Sequence, residues 1–170
     1  MPETAEEYRK RLAEYVEGQD PLQVQRETLV RLSRLIGRAS TEQLNRRPAS
    51  GKWCVTEILA HLAEDEIATS WRYRQMIEQD GVTLLGFDQD LWAGLGTYHE
   101  WDPREALELF RLLREANLRM LANLSPEQWQ CSGEHVERGK LTVAALARHM
   151  AAHDINHLQQ IEKLLSTENH

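Results

Sequence analysis

The stretch from Leu146 to Leu164 repeats with a step that suits a helix and no other regular structure. Leu146, Met150, His153, His157, Ile161 and Leu164 are spaced by four, three, four, four and three residues, which puts them on one face of an α-helix. A face of this kind is buried against the rest of a fold. Here it carries two imidazoles inward, with His149 on its flank. A buried imidazole without a partner is costly, so the fold must bring something to these rings. Two histidines four residues apart can converge on one cation, but they supply only half of a tetrahedral site. A metal at this helix needs a third ligand from elsewhere in the chain.

The remainder of the chain is also written at helical spacing. Residues 4 to 17 carry a weak stripe of Tyr8, Leu12, Tyr15 and Val16, which Gly18 ends. Asp20-Pro21 has the form of an N-cap followed by proline at the first helical position. Leu22, Leu29, Leu32, Leu35 and Ile36 continue that helix to Gly37. Ser40 to Gln43 has capping-box spacing and predicts one short turn. After a loop at 45 to 52, ended by Trp53, a second long helix is predicted from about residue 55 to 79. Its core side holds Val55, Ile58, Leu59, Leu62, Ala68, Trp71 and Met76.

Asp102-Pro103 with Glu105 repeats the cap signature. It opens a third helix to about residue 123, with Leu107, Phe110, Leu113, Leu118 and Leu121 among its apolar positions. Ser125-Pro126 with Gln128 predicts a short turn carrying Trp129. Residues 131 to 140 read as a loop or weak hairpin, and Thr142 caps the last helix, which runs to about residue 165. No alternating strand pattern stands out. Four long helices with these connections predict an all-α four-helix bundle. Without a repeat, linker or low-complexity tract, residues 1–170 read as one domain. The irregular part is 80 to 101, between the second and third long helices, where four glycines lie among Phe87, Trp92, Tyr98 and Trp101. A loop longer than a bundle needs is often a lid or a binding wall.

Composition narrows the task. Hydrophobic residues make up 41% and charged residues 28%, which fits a globular chain rather than a disordered or membrane-embedded one. No apolar run approaches the about 20 residues that span a bilayer. The acidic start, Met1 to Glu7, has no apolar segment of the signal-peptide kind, so a cytoplasmic location is expected. A net charge of −7 without a basic run argues against nucleic acid as the partner. Cys54 and Cys131 are far apart in sequence, and in a reducing compartment no structural disulfide is expected.

A third imidazole stands in the second long helix, where Ile58, His61 and Leu62 give it the same apolar setting. Three nitrogen donors favour Zn²⁺, Ni²⁺, Fe²⁺ or Cu²⁺ over Mg²⁺ or Ca²⁺, and three protein ligands leave a position for water or substrate. The spacing leaves the plainer alternative standing, in which each is a hydrogen-bonded core histidine. Other residues have two readings as well. Asp65, one turn beyond His61, can orient a water or a ligand, or sit at the bundle surface. Asp154 can support a histidine or face solvent. Gln160 falls on the metal-side face, where it can touch substrate or form a polar rim. Trp53, Trp92, Trp101 and Trp129 can line a pocket mouth or fill the core. His99 lies in the loop, within conceivable reach of an open metal position.

The run Gly51-Lys52-Trp53-Cys54-Val55-Thr56-Glu57-Ile58-Leu59-Ala60-His61-Leu62-Ala63-Glu64-Asp65-Glu66 resembles the first signature of the DinB-like (YfiT-like) superfamily: a tryptophan, a helix start, then His-Leu-Ala and acidic residues. His153-Asp154-Ile155-Asn156-His157-Leu158-Gln159-Gln160-Ile161 resembles the second. The likeness spans nearly the whole chain, including the capped third helix and the Ser-Pro-Glu-Gln-Trp turn. It implies a divalent metal, nickel or zinc, held by His61, His153 and His157, which leaves His149 as an outer support or a surface residue. One departure is Cys54, which stands where the family often has the Ser or Thr that caps the second helix. It reads as a tolerated isostere or, more sharply, as a thiol acidified by the helix N-terminus.

The resemblance also implies a choice of chemistry. A metal with three neutral ligands can ionise a small-molecule thiol, which then attacks an electrophile. It can also activate water to hydrolyse an amide or ester, with Asp65 or Glu64 as base. Relatives that transfer bacillithiol, mycothiol or glutathione favour the first, a metal-dependent thiol transferase with a small-molecule substrate. A third class is a non-catalytic metal-binding stress or damage-response protein. The likeness also extends to a homodimer.

Overall fold

In the computed structural model of the chain, residues 4–166 are described, without the side chains of Ala5, Glu6 and Arg9. Residues 1–3, part of the acidic start read above, lie outside that range. The chain is a four-helix bundle. Its long helices are α2 (Pro21–Arg38), α4 (Val55–Glu78), α6 (Pro103–Leu121) and α8 (Val143–Ser166), preceded by α1 (Ala5–Tyr15). Short helices α3 (Thr41–Asn45), α5 (Gln89–Leu95) and α7 (Pro126–Gln130) sit in the connections, with a 3₁₀ turn at Tyr98–Glu100. α4 packs on α6, and α2 packs on α8.

The cap residues act where their spacing places them. Asp20 Oδ1 accepts from Leu22 N at 2.9 Å, and Asp102 Oδ1 accepts from Arg104 N at 2.8 Å. Ser40 and Ser125 close capping boxes with Gln43 and Gln128, and Thr142 Oγ1 accepts from Ala145 N at 3.1 Å. Each satisfies a backbone donor that the first helical turn leaves without a partner.

Two expectations need correction. The first concerns strands: residues 131 to 140, read as a loop or weak hairpin, form a hairpin, and it gains a third strand from the segment read as irregular. β1 (Val82–Leu84) pairs in parallel with β2 (Ser132–His135), which pairs antiparallel with β3 (Gly139–Thr142), in the order β1-β2-β3. Strands of three or four residues are too short to show an alternating pattern, and β1 finds its partner some 50 residues away in sequence. Gly133 is required there: a Cβ at this position would stand 2.6 Å from the Leu84 side chain. The second is Trp71, placed on the core side of α4 but 63% exposed, while Ala68 is only half-buried. The buried line runs Leu62, Glu66, Thr69, Tyr73, Met76, and its two polar members hid it from a search for apolar residues.

The polar members recur in every long helix at one level. One apolar cluster is built from Leu32, Ile36, Ile58, Leu62, Phe110 and Ile161. Another holds Tyr73, Met76, Leu84, Leu121, Leu146 and Met150. Between these two clusters along the helices lie buried Thr28 of α2, His61, Asp65, Glu66 and Thr69 of α4, Arg114 and Asn117 of α6, and His153, Asp154 and His157 of α8. A polar layer through the middle of a hydrophobic core costs free energy unless each group is paired. How this one is paired defines the candidate site.

Candidate metal centre

The helical spacing aims His61 from α4 and both His153 and His157 from α8 into this layer. The His153 Nε2 atom is 3.2 Å from His61 Nε2 and 3.0 Å from His157 Nε2. All three ligand atoms lie within 4.8 Å of one another. Adjacent nitrogens around a tetrahedral zinc with bonds of about 2.0–2.1 Å stand roughly 3.3 Å apart, so the spacing suits one cation.

The protonation states suit it too. Burial pushes His61 down to about 3, with the charge of His157 adding to the effect. Burial pushes His157 down to about 4, and it lowers His153 well below the ordinary range, with His157 and His61 adding. All three rings are neutral at pH 7, as metal ligands must be.

Their outer nitrogens fix the tautomers. His157 Nδ1 lies 3.1 Å from Gln160 Oε1, an acceptor, which calls for the proton on Nδ1 and leaves a bare lone pair on Nε2. His153 Nδ1 is buried without a hydrogen bond, and the nearest carboxylate oxygen is Asp65 Oδ2 at 3.6 Å. A proton held there toward Asp65 leaves His153 Nε2 bare as well. The two bare lone pairs of His153 and His157, 3.0 Å apart, have no proton to share between them, and a cation fits that pair better than a hydrogen bond.

An open cleft of about 410 Å³ reaches His153 and His157, bounded by Tyr8, Lys52, Trp53, Asp90 and Gln160. The Trp53 ring covers His61 at 5.2 Å between centroids. Tyr98 meets Trp53 edge-on at 6.2 Å and donates its hydroxyl to Glu64 Oε2 at 2.6 Å. Part of the 80–101 segment thus closes the His61 side, while its short helix α5 brings Asp90 to the cleft mouth.

Several singled-out residues lie elsewhere. Trp92 does not reach the cleft; it stacks on Phe87 at 4.3 Å, which holds it against the outer side of α4 near Trp71. Asp154 supports no histidine: its carboxylate accepts from both terminal nitrogens of Arg114, at 2.9 Å for the Nη2–Oδ1 bond. His149 is 6.2 Å from the His153 ring between centroids and accepts a hydrogen bond from Arg138 Nη1 at 3.0 Å. Trp101 donates to the Gly96 carbonyl and packs, half-buried, against one apolar cluster, and Trp129 packs half-buried against the other. His99 is exposed beside Glu100. The Cys54 sulfur is buried, and burial pushes its thiol up, against the acidified reading. The Glu57 carboxylate serves that helix start instead, accepting from Cys54 N at 2.9 Å.

Arg114, fully buried in α6, was missed. It donates to Glu66 Oε1 through Nε at 3.0 Å and Nη2 at 2.8 Å, and Asn117 Nδ2 donates to Glu66 Oε2 at 2.8 Å. The available signal was the step Phe110, Arg114, Asn117, Leu121, an inward stripe with two polar members like the histidine stripe of α8.

Comparison with known proteins bears on both fold and family. The solved structure of YfiT from Bacillus subtilis, described as "a probable metal-dependent hydrolase with an unusual four-helix bundle topology", superposes with a TM-score of 0.78 at 21% identity, covering 85% of this chain and 83% of that one. At that identity it speaks to the fold. A curated relative from Oceanobacillus iheyensis, "Putative metal-dependent hydrolase OB0782", is 28% identical over 126 residues, 74% of this chain and 72% of its own length. "Putative metal-dependent hydrolase YfiT" of Bacillus subtilis is 22% identical over 160 residues, 93% and 90% of the two chains. The DinB superfamily profile matches residues 22–161, from the start of α2 through both histidine segments, and the chain belongs to the DinB superfamily.

Proposed function

We propose that the protein is a metal-dependent enzyme in which His61, His153 and His157 hold one divalent cation, zinc or nickel, and that it hydrolyses an amide or ester bond of a small molecule. The observation that carries this reading is the convergence of three neutral imidazoles at an open cleft. A cation with three uncharged ligands keeps its full charge, polarises a carbonyl and acidifies a bound water or thiol. The chain's own residues do the rest. Gln160 and Asp65 orient His157 and His153 through their outer nitrogens. Trp53 and Tyr98 keep water from the His61 side. Lys52, Asp90 and Gln160 offer charged and polar contacts to whatever enters. The names of the relatives support hydrolysis.

Transfer of a low-molecular-weight thiol is the second reading, and one observation favours it. Hydrolysis asks for a nearby group that moves protons, and the carboxylates around the three rings are engaged, which leaves Asp90 at the cleft mouth. Glu64 accepts from Tyr98, Glu57 pairs with Arg47, and Asp65 stands behind His153. An ionised thiol needs no such base.

Elemental analysis of purified protein should give about one divalent metal per chain, and His153→Ala should lose it; equal content in the two would overturn the ligand set. A panel of amide and ester substrates should then show turnover that metal removal abolishes. Turnover only with a thiol and monochlorobimane would select S-transfer. Activity in neither panel would leave a metal-holding stress or damage-response protein.

A further inference from the structure

A second cavity, of about 500 Å³, lies between α1, α8 and the β2–β3 hairpin and shares no lining residue with the metal-centre cleft. It exists because α8 presents alanines there. Ala145 and Ala152 do not fill the space opposite Leu12 of α1 and Val16 just beyond it, and Leu141 of β3 adds to the wall. Volumes of about 300–1,000 Å³ with mostly apolar walls are those of small-molecule sites.

Its polar groups are all basic. Arg138, Arg148 and His149 line it, and among the described residues no carboxylate does. In a chain of net charge −7, two guanidinium groups on one apolar cavity stand apart from the rest of the surface, with Asp65 in electrostatic reach of Arg138 from behind. Arg148 Nη1 reaches only the Val16 carbonyl, at 3.4 Å. Arg138 Nη1 donates to His149 Nε2 at 3.0 Å, which makes that ring a neutral acceptor. Each guanidinium has five N–H donors, so both keep donors for a further acceptor, and a guanidinium matches the planar fork of a carboxylate.

We propose that this cavity binds a small amphipathic carboxylate, its alkyl or aryl part along Leu12, Val16, Ala145 and Ala152 and its carboxylate on Arg138 and Arg148. An apolar body with one anionic head is the chemistry the walls and the cations jointly select. A cationic or neutral analogue of the same chain length lacks half of that recognition. The proposal does not depend on the metal reading, because none of these residues is a ligand in it.

The test is calorimetric titration of the full chain with dodecanoate kept monomeric, beside dodecanol and dodecyltrimethylammonium. One dodecanoate per chain is expected, with dodecanol at least tenfold weaker and the cation not bound. The double substitution Arg138→Gln with Arg148→Gln should weaken dodecanoate at least tenfold, and so should Ala145→Trp, which fills the cavity from an exposed position. His153→Ala, which removes a metal ligand, should bind as the wild type does. The proposal is overturned by no saturable binding, by dodecanol binding as tightly as dodecanoate, or by unchanged binding in the double variant. Binding lost in His153→Ala would move the ligand to the metal centre and overturn it equally.

Discussion

The two halves of the buried polar layer solve the same problem in opposite ways. In one half Arg114 meets Glu66 and Asp154, with Asn117 on the remaining oxygen of Glu66. One guanidinium serves two carboxylates, and each of the four carboxylate oxygens accepts from Arg114 or Asn117, so the acids of that half find their donors within the protein. In the other half His61, His153 and His157 turn like atoms toward one another and have no counter-charge at their meeting point. Asp65, the nearest carboxylate, faces the outer nitrogen of His153. Both halves are buried among the same helices, and α8 supplies neighbours, Asp154 and His153, to each. A closed network is a structural cross-brace. An open one, facing a cleft, is where a ligand completes the pairing.

That contrast can be broken at either end. The largest effect is expected at Arg114. Arg114→Met leaves two carboxylates buried without their partner and should cost about 3–5 kcal/mol, read as a fall in Tm. A Tm unchanged within a degree would show that the half described as closed braces nothing.

Acid should act chiefly on the other half. The folded state holds its histidines far below the ordinary 6.5, with His61 at about 3 and His157 at about 4. Their contribution is present above pH 6.5 and is lost as pH falls from there toward 4, because the unfolded chain binds the protons. Asp65, pushed up to about 7, and Asp154, pushed up to about 6, both mainly by burial, work in the opposite sense, two protons against those of the three rings and of His149, held down at about 4. Metal-free protein should therefore lose stability on acidification, at up to about 1.4 kcal/mol per pH unit for each net proton. Denaturant midpoints that stay flat between pH 7 and pH 4.5 would contradict this.

A smaller effect is expected at the junction of the halves. Asp65→Asn keeps the shape but removes the ionisable carboxyl group facing His153 Nδ1. Metal affinity should fall about 10–100-fold, with little change in the metal-free Tm. An unchanged affinity would remove Asp65 from the site. The smallest effect is expected at the start of α4. Cys54→Ser restores a hydroxyl cap and should raise stability by no more than about 1 kcal/mol, with metal content unaltered. Metal loss in that variant would give the thiol a part in the centre that its burial argues against.

Much of this was legible before any coordinates. The stripes of α2, α4, α6 and α8 and their caps are local signals, and they delivered the bundle. His61, His153 and His157 were legible because polar residues on an apolar stripe are conspicuous. Arg114 and Glu66 obey the same rule but lay inside stripes read for their leucines, so the brace went unseen. Trp92 was placed by its loop position, and a loop does not specify direction. Its stacking on Phe87, a contact within the same segment, took it away from the cleft. The hairpin at 131 to 140 was half-read, while β1 escaped because three residues show too little alternation and its partner strand lies some 50 residues away.

By itself, then, the order of residues determined the helices, their inward faces and the imidazoles those faces carry, because periodicity and capping act within a few residues of chain. Tertiary structure decided which of the buried polar groups meet. It joined Asp154 to Arg114 rather than to a histidine, brought Asp65 rather than Asp154 beside His153, and left three Nε2 atoms together at an open cleft. Those choices depend on how rods from distant parts of the chain rotate and slide against one another to fill a common core, and no local pattern encodes that packing.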